Sequence, residues 1–207
     1  MNKLFKHLKT VRTHRKYVRQ ACWKMGLFWQ GLVHDLSKYS LKELSISKYY
    51  VGTRSPHAQA RDVLGYSPSW MHHYQRNKHH WQYWLDIEDW PDKVIPVKMP
   101  YKYVIEMLCD FIGASKAYNP SEWNEDMPWE YYQTSCKGKR LMHRDSEYLI
   151  EKLLWNLKVL GSDRFFAWYK RSKKHLKSSY KDGTLVNESS LPSAEDEYVE
   201  PSESWKD

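Results

Sequence analysis

Apolar positions along this chain recur mostly at intervals of three and four, the spacing of helices packed on one face. Leu4, Leu8, Val11, Val18, Cys22 and Met25 form such a stripe, and His14 falls within it. Gly26 is a break, after which short helices are expected from Leu27 to about Leu36 and from Leu41 to Tyr50. Residues 51–66, VGTRSPHAQARDVLGY, read as a loop or irregular crossover. Ser67 and Pro68 then supply an N-cap and a first-turn proline. The helix they start carries WMHHYQRNKHHWQYW, with a bend expected near Asn77. Asp86 to Val97 contains two prolines and reads as a second loop. A helix follows from Met99 to about Tyr118, with Val104, Leu108 and Phe111 facing inward. Helices near 128–136, 144–160 and 162–178 complete the body, the last two separated by Gly161. No stretch alternates with the period of a sheet, so the expected fold class is all-α, a single helical domain.

A chain of 207 residues with 41% hydrophobic and 15% aromatic content can bury a real core in one domain. The domain is expected over residues 1–180. Residues 181–207 are polar, acidic and proline-containing, and are expected to be a disordered tail. From Asp182 onward there are eight acidic residues and one lysine, a balance of −7. The other 181 residues carry 32 basic and 17 acidic groups, a balance of +15. A body that basic suits phosphate-bearing partners, small or polymeric. No run approaches the roughly 18 apolar residues of a membrane span, so no membrane partner is expected. The opening MNKLFKHLKTVRTHRK lacks the form of a secretory signal. Cys22, Cys109 and Cys136 have no CxxC spacing and read as reduced core thiols, so the expected compartment is the cytoplasm.

The chemistry lies in polar groups that interrupt apolar stripes. In GLVHDLSKYS, His34 and Asp35 follow Gly31-Leu32-Val33 directly, with Lys38 one turn later. Burying such groups costs several kcal/mol (roughly 2–7) unless each has a partner. His72, His73, His79 and His80 lie within nine residues. On one unbroken helix they share a face about 120° wide, but His73 and His80 stand about 10 Å apart along the axis. Neutral imidazoles grouped in this way suit a transition metal, provided the helix bends between the pairs. Asp110 interrupts the apolar helix 99–118, with Glu106 one turn earlier. Any one of these is what a hydrogen-bonded core residue looks like; together, on four helices, they point to convergence.

The order His14, His34-Asp35, His72/His73, His79-His80, Asp110 resembles the ligand order of the HD superfamily of metal-dependent phosphohydrolases, and HDLSK resembles its HDxxK signature, with Ser37 where glycine is usual. Over about residues 8–160 the sequence also resembles an uncharacterised domain family of bacteria and their phages. The superfamily resemblance implies an HD-like helical bundle and a centre of one or two divalent ions. His34, His14 and Asp110 would complete a first site around Asp35, which can bridge. His79, His80 and one of His72 or His73 would hold the second. Mixed imidazole and carboxylate ligation suits Mn, Fe, Co, Ni or Zn. Lys38 would stabilise charge on phosphoryl oxygens, and Arg76 and Lys78 are candidates for substrate contact. The implied function is hydrolysis of a nucleotide or another phosphoester, a phosphorylated small molecule included. The rival reading is a non-enzymatic helical module, stabilised by a metal, that binds nucleic acid or a protein partner.

Overall fold

A computed structural model describes residues 2–52, 55–89, 93–137 and 140–185. Its helices are α1 (Lys3–Lys24), α2 (Phe28–Val33), α3 (Leu41–Leu44), α4 (Pro56–Leu64), α5 (Pro68–Tyr74), α6 (Tyr101–Tyr118), α7 (Asp126–Ser135) and α8 (Arg144–Asp182). Short 3-10 turns at Leu36–Tyr39, Ser45–Tyr49 and Trp81–Trp84 link them. α8 is two helices joined across Gly161, as the sequence pattern implies. The fold class is all-α. The greater part of the expected tail, from residue 186 onward, lies outside the described residues; Leu185, just before it, is fully buried.

Three local readings are corrected. Residues 51–66 are not simply a loop: Ser55-Pro56 starts α4 and Gly65 ends it in the left-handed conformation. The Ser-Pro start is the same signal that marks α5, but α4 buries only Pro56, His57 and Ala60, too little for an apolar stripe to show. The segment 86–97 contains an antiparallel hairpin, β1 (Leu85–Glu88) paired with β2 (Lys93–Pro96), with Leu85 opposite Pro96 and Glu88 opposite Lys93. Pro96 is tolerated because it ends a strand on a two-stranded sheet, where both strands are edges. The helix from Ser67 stops at Tyr74 instead of running on to Trp84.

The core is built from the inner faces of α1, α6, α7 and α8, with Val18, Cys22, Ile105, Leu108, Tyr132, Leu149, Ile150 and Leu153 all buried. α1 and α6 pack most closely at Gly113. A Cβ there would stand 2.3 Å from Val18 Cγ2 and 2.9 Å from Val18 N. Val18 lies one turn beyond His14 and Gly113 one turn beyond Asp110, so this approach sets the reach between those two side chains. Gly113→Ala is therefore expected to destabilise the protein. Helix propensity favours alanine by about 1 kcal/mol, whereas overpacking against backbone costs typically 1–3 kcal/mol. A lower melting temperature is the expected result; a raised melting temperature would mean the helices separate freely.

Candidate metal centre

α2 ends at Val33, and His34 leaves the helix in an extended conformation. Asp35 follows with φ 55°, the one non-glycine residue at positive φ among the described residues. A left-handed aspartate costs roughly 1–3 kcal/mol and persists where its surroundings over-determine it. Here the Arg15 guanidinium fixes the turn, donating to the carbonyls of His34 (2.8 Å) and Leu32 (2.9 Å). The turn aims ring and carboxylate inward: His34 and Asp35 are 1% and 0% exposed.

Asp35 has different company on each oxygen. Oδ2 lies 3.1 Å from His14 Nε2 and 3.3 Å from His34 Nε2. Asp110 Oδ1 closes the group from α6, 3.2 Å from His14 Nε2 and 3.5 Å from His34 Nε2. The two Nε2 atoms are themselves 3.4 Å apart. Donors about 2.05 Å from a tetrahedral ion stand about 3.3 Å from one another, so these separations could accommodate an ion as well as hydrogen bonds. Oδ1 faces a second group, 3.3 Å from His73 Nε2 and 3.6 Å from His79 Nε2, with His80 completing it.

That second group is reached because the chain turns back after Tyr74. The Asn77 amide donates to the His73 carbonyl (2.8 Å) and to Ser37 Oγ (2.7 Å). The reversal brings the rings of His73 and His80 to 4.8 Å, where a continuous helix would hold them two turns apart.

Two buried carboxylates orient the rings. Ionised Glu106 can only accept hydrogen bonds, and its Oε1 takes one from Nδ1 of His34 (3.0 Å) and one from Nδ1 of His79 (3.2 Å). Glu43 likewise accepts from Nδ1 of His73 (2.7 Å) and of His72 (2.8 Å). Protons held on Nδ1 turn the Nε2 lone pairs of His34, His73 and His79 toward Asp35, as outer carboxylates do for metal-bound histidines. Glu106, His34 and His79 are themselves close enough to form a third donor group. Because the ring atoms facing Glu106 are the proton-bearing Nδ1, that group is better described as outer support than as a third site.

The fit to a cation rests on the atoms left over. Asp35 Oδ1 and the Nε2 atoms of His73, His79 and His80 are buried, and none has a hydrogen-bond partner among the described residues. Four unpartnered polar atoms buried together are costly, and a cation among them would offset that cost. The electrostatics agree. Burial would raise the Asp35 carboxyl, but His34, Lys38 and His73 hold it well below the usual carboxylate range. Asp110 is lowered too, burial being outweighed by His14 and His34. Burial opposes charge on His34, yet Asp35, Asp110 and Glu106 push its pKa well above the imidazole norm, and the Nε2 proton this favours is one that a bound cation would replace. His80, by contrast, is driven well below it by burial and by His79 and His73. The cluster is ionised on its carboxylates and demands positive charge.

Every residue assigned to metal binding on sequence grounds, His14, His34, Asp35, His73, His79, His80 and Asp110, belongs to one of these two groups. Of His72 and His73, only His73 joins a donor group; the Nδ1 of His72 reaches Glu43 and its ring belongs to neither. Loss of the second group is thus expected for His73→Ala, while His72→Ala should keep its metal, a difference that elemental analysis of the two variants reads directly. Lys38 lies on the site, its Nζ 2.6 Å from Asp35 Oδ2. Arg76 and Lys78 are exposed on the turn, with Lys78 over the ring of Tyr83 at 5.4 Å. Sequence reading did not assign Glu43, Asn77 or Arg15. Glu106 stood out by its place on an apolar helix; Glu43, in LKELSISK, looks like any solvated helix residue.

An all-α protein with a buried histidine and carboxylate cluster that could hold metal ions is thus the class that fold and site define. The chain belongs to a Family of unknown function (DUF5662), whose pattern matches residues 3–156, a span that contains every residue of the cluster. No curated protein and no solved structure matches the chain.

Proposed function

We propose that the protein is a metal-dependent phosphohydrolase of HD type, acting on a nucleotide or another phosphoester. The observation that carries this reading is Asp35: its two oxygens serve two separate donor groups, as a bridging carboxylate between two ions would. The resemblance of HDLSK and of the ligand order to the HD superfamily supports it.

A divalent ion held there supplies Lewis acidity, lowering the pKa of a water toward neutrality and drawing electron density from a phosphoryl oxygen. The chain's own groups do the rest. His34, Asp35, His73 and His79 are sealed from solvent, whereas the side chains of Asp110 and Lys38 are 21% and 24% exposed. Substrate therefore approaches over that edge. A structural metal site is closed by protein ligands, while a catalytic one keeps an open position, and the open edge favours catalysis over the non-enzymatic module. Lys38, three residues beyond Asp35, shares its side of the turn and places an ammonium where phosphoryl charge grows in the transition state. Burial disfavours that charge, but Asp35 and Asp110 more than restore it, and the Lys38 pKa is raised. The amine stays protonated and acts as a fixed cation. Arg76 and Lys78, exposed on the turn joining the histidine pairs, are the proposed contacts to the rest of a phosphorylated substrate. Attack of a water oxygen on phosphorus, with its proton passing to solvent at the open edge, breaks the P–O ester bond, and the leaving alkoxide takes a proton from water there to depart as the alcohol.

Elemental analysis of the purified protein, followed by a screen of mono- and diester substrates with the metal found, tests the proposal. Metal at one or two equivalents with turnover of some phosphoester is expected. A fully metallated protein that hydrolyses none of them would favour the non-enzymatic module.

A further inference from the structure

We infer that the outer faces of α1 and α2 form a peripheral attachment surface for an anionic lipid bilayer. The inference is independent of the proposed hydrolase activity, because the surface lies on the side of α1 opposite His14.

Lys3–Lys24 carries eight lysines and arginines and no acidic residue. Phe5, Lys9, Arg12, Lys16, Arg19 and Trp23 recur at intervals of four and three, and all are exposed. At 100° per residue they occupy an arc of about 80°, a single ridge of four cations with an aromatic ring at each end. Lys38, Lys98 and Lys137 are paired to carboxylates, and none of them is on this ridge.

Beside the ridge stands an apolar cluster. Phe28, Trp29, Leu32 and Leu36 are 64%, 69%, 47% and 50% exposed. α2 lies flush on α1, since a Cβ at Gly31 would come within 3.0 Å of Cys22 Cβ and 3.3 Å of Arg19 Cα. Trp23 meets Phe28 at 6.4 Å between ring centroids, and Arg15 ties α1 to the Leu32 carbonyl while lying 5.2 Å over the Tyr39 ring. Those contacts join ridge and cluster into one surface.

Three occupants compete for it. A nucleic acid would use the cations and stack on the rings, but it leaves the exposed leucines without a role. A second copy in a two-fold dimer would set one cation ridge against another. An anionic bilayer uses both features: headgroups meet the ridge, and Trp, Phe and Leu enter the headgroup and acyl boundary to about 5–10 Å. No helix of the described residues is long and apolar enough to cross a membrane. The contact is therefore a surface one, which the expectation of no membrane partner, resting on the absence of a span, did not address.

Flotation of the full chain with vesicles of equal parts phosphatidylglycerol and phosphatidylcholine, against phosphatidylcholine alone, tests this. Binding to the anionic vesicles, weakened by salt, is expected. K9Q/R12Q/K16Q should lower the partition coefficient on the order of 100-fold, three cations each contributing about a factor of five. W29S/L32S should lose the binding that survives high salt. All five positions are on the surface, and an unchanged melting temperature and metal content would show that the variants fold. The inference is overturned by equal binding to neutral vesicles, by no flotation, or by variants that float like the wild type. It is also overturned if a single-stranded oligonucleotide binds more tightly than the anionic vesicles and displaces the chain from them, or if W29S/L32S converts a dimer to a monomer.

Discussion

Asp35→Asn and Asp35→Ala are expected to lose both bound metal and turnover, while Lys38→Ala keeps the metal and loses turnover alone. The carboxylate is the element common to both donor groups, with His14 and His34 on Oδ2 and His73 and His79 on Oδ1. Its removal leaves His73, His79 and His80 with no carboxylate, and His14 and His34 with Asp110 alone, to balance a dication. Two variants are needed because the position has φ 55°. Asparagine visits the left-handed region about as readily as aspartate, so Asp35→Asn separates loss of charge from backbone strain. Lys38 acts in the opposite sense on the metal. Its ammonium, 2.6 Å from Oδ2, competes with a cation for that oxygen. Lys38→Ala should accordingly bind metal at least as well as the wild type, yet lose on the order of 10²- to 10³-fold in rate, the usual cost of removing one transition-state charge stabiliser. Turnover that survives in both Asp35 variants would remove HDLSK from the active site. Metal lost together with rate in Lys38→Ala would make that lysine a structural partner of Asp35.

The residues of the two donor groups were more legible in the sequence than the local elements around them, and the reason is energetic. A histidine or aspartate on an apolar stripe is an exception that must be offset, so His14, His34, Asp35 and Asp110 stand out once they are taken together. The outer layer has no such signature. Glu43 is 2% exposed and holds two histidines, but its neighbours in sequence are lysine, serine and leucine, and nothing local marks it as buried. The same limit applies to Asn77, whose amide reverses the chain. A bend was needed for the paired histidines to meet, but its form depends on Ser37, 40 residues away. Long-range partners also explain the hairpin and α4, since neither buries enough apolar surface to impose a period on its own residues.

Glu106→Ala is expected to weaken both metal groups at once, and Glu43→Ala only one. The difference follows from which rings each carboxylate holds. Glu106 Oε1 accepts from His34, in the group on Asp35 Oδ2, and from His79, in the group on Oδ1. Glu43 accepts from His73, in the second group, and from His72, which is in neither. Truncating either acid leaves two buried N–H groups without an acceptor, at about 1–3 kcal/mol each, and frees the rings to rotate or change tautomer. Loss of an outer carboxylate typically costs roughly 10- to 100-fold in metal affinity. Glu106→Ala should thus lower affinity by about that factor for every bound ion, whereas Glu43→Ala leaves the His14, His34, Asp110 group at wild-type affinity. Glu106→Gln provides the control: its amide oxygen can still accept from both rings, so geometry is kept while the charge is lost. Titration of metal-stripped protein, followed by calorimetry, distinguishes the three variants. If Glu106→Ala bound every ion as tightly as the wild type, the rings would be held by packing alone, and Glu106 would have no part in positioning them.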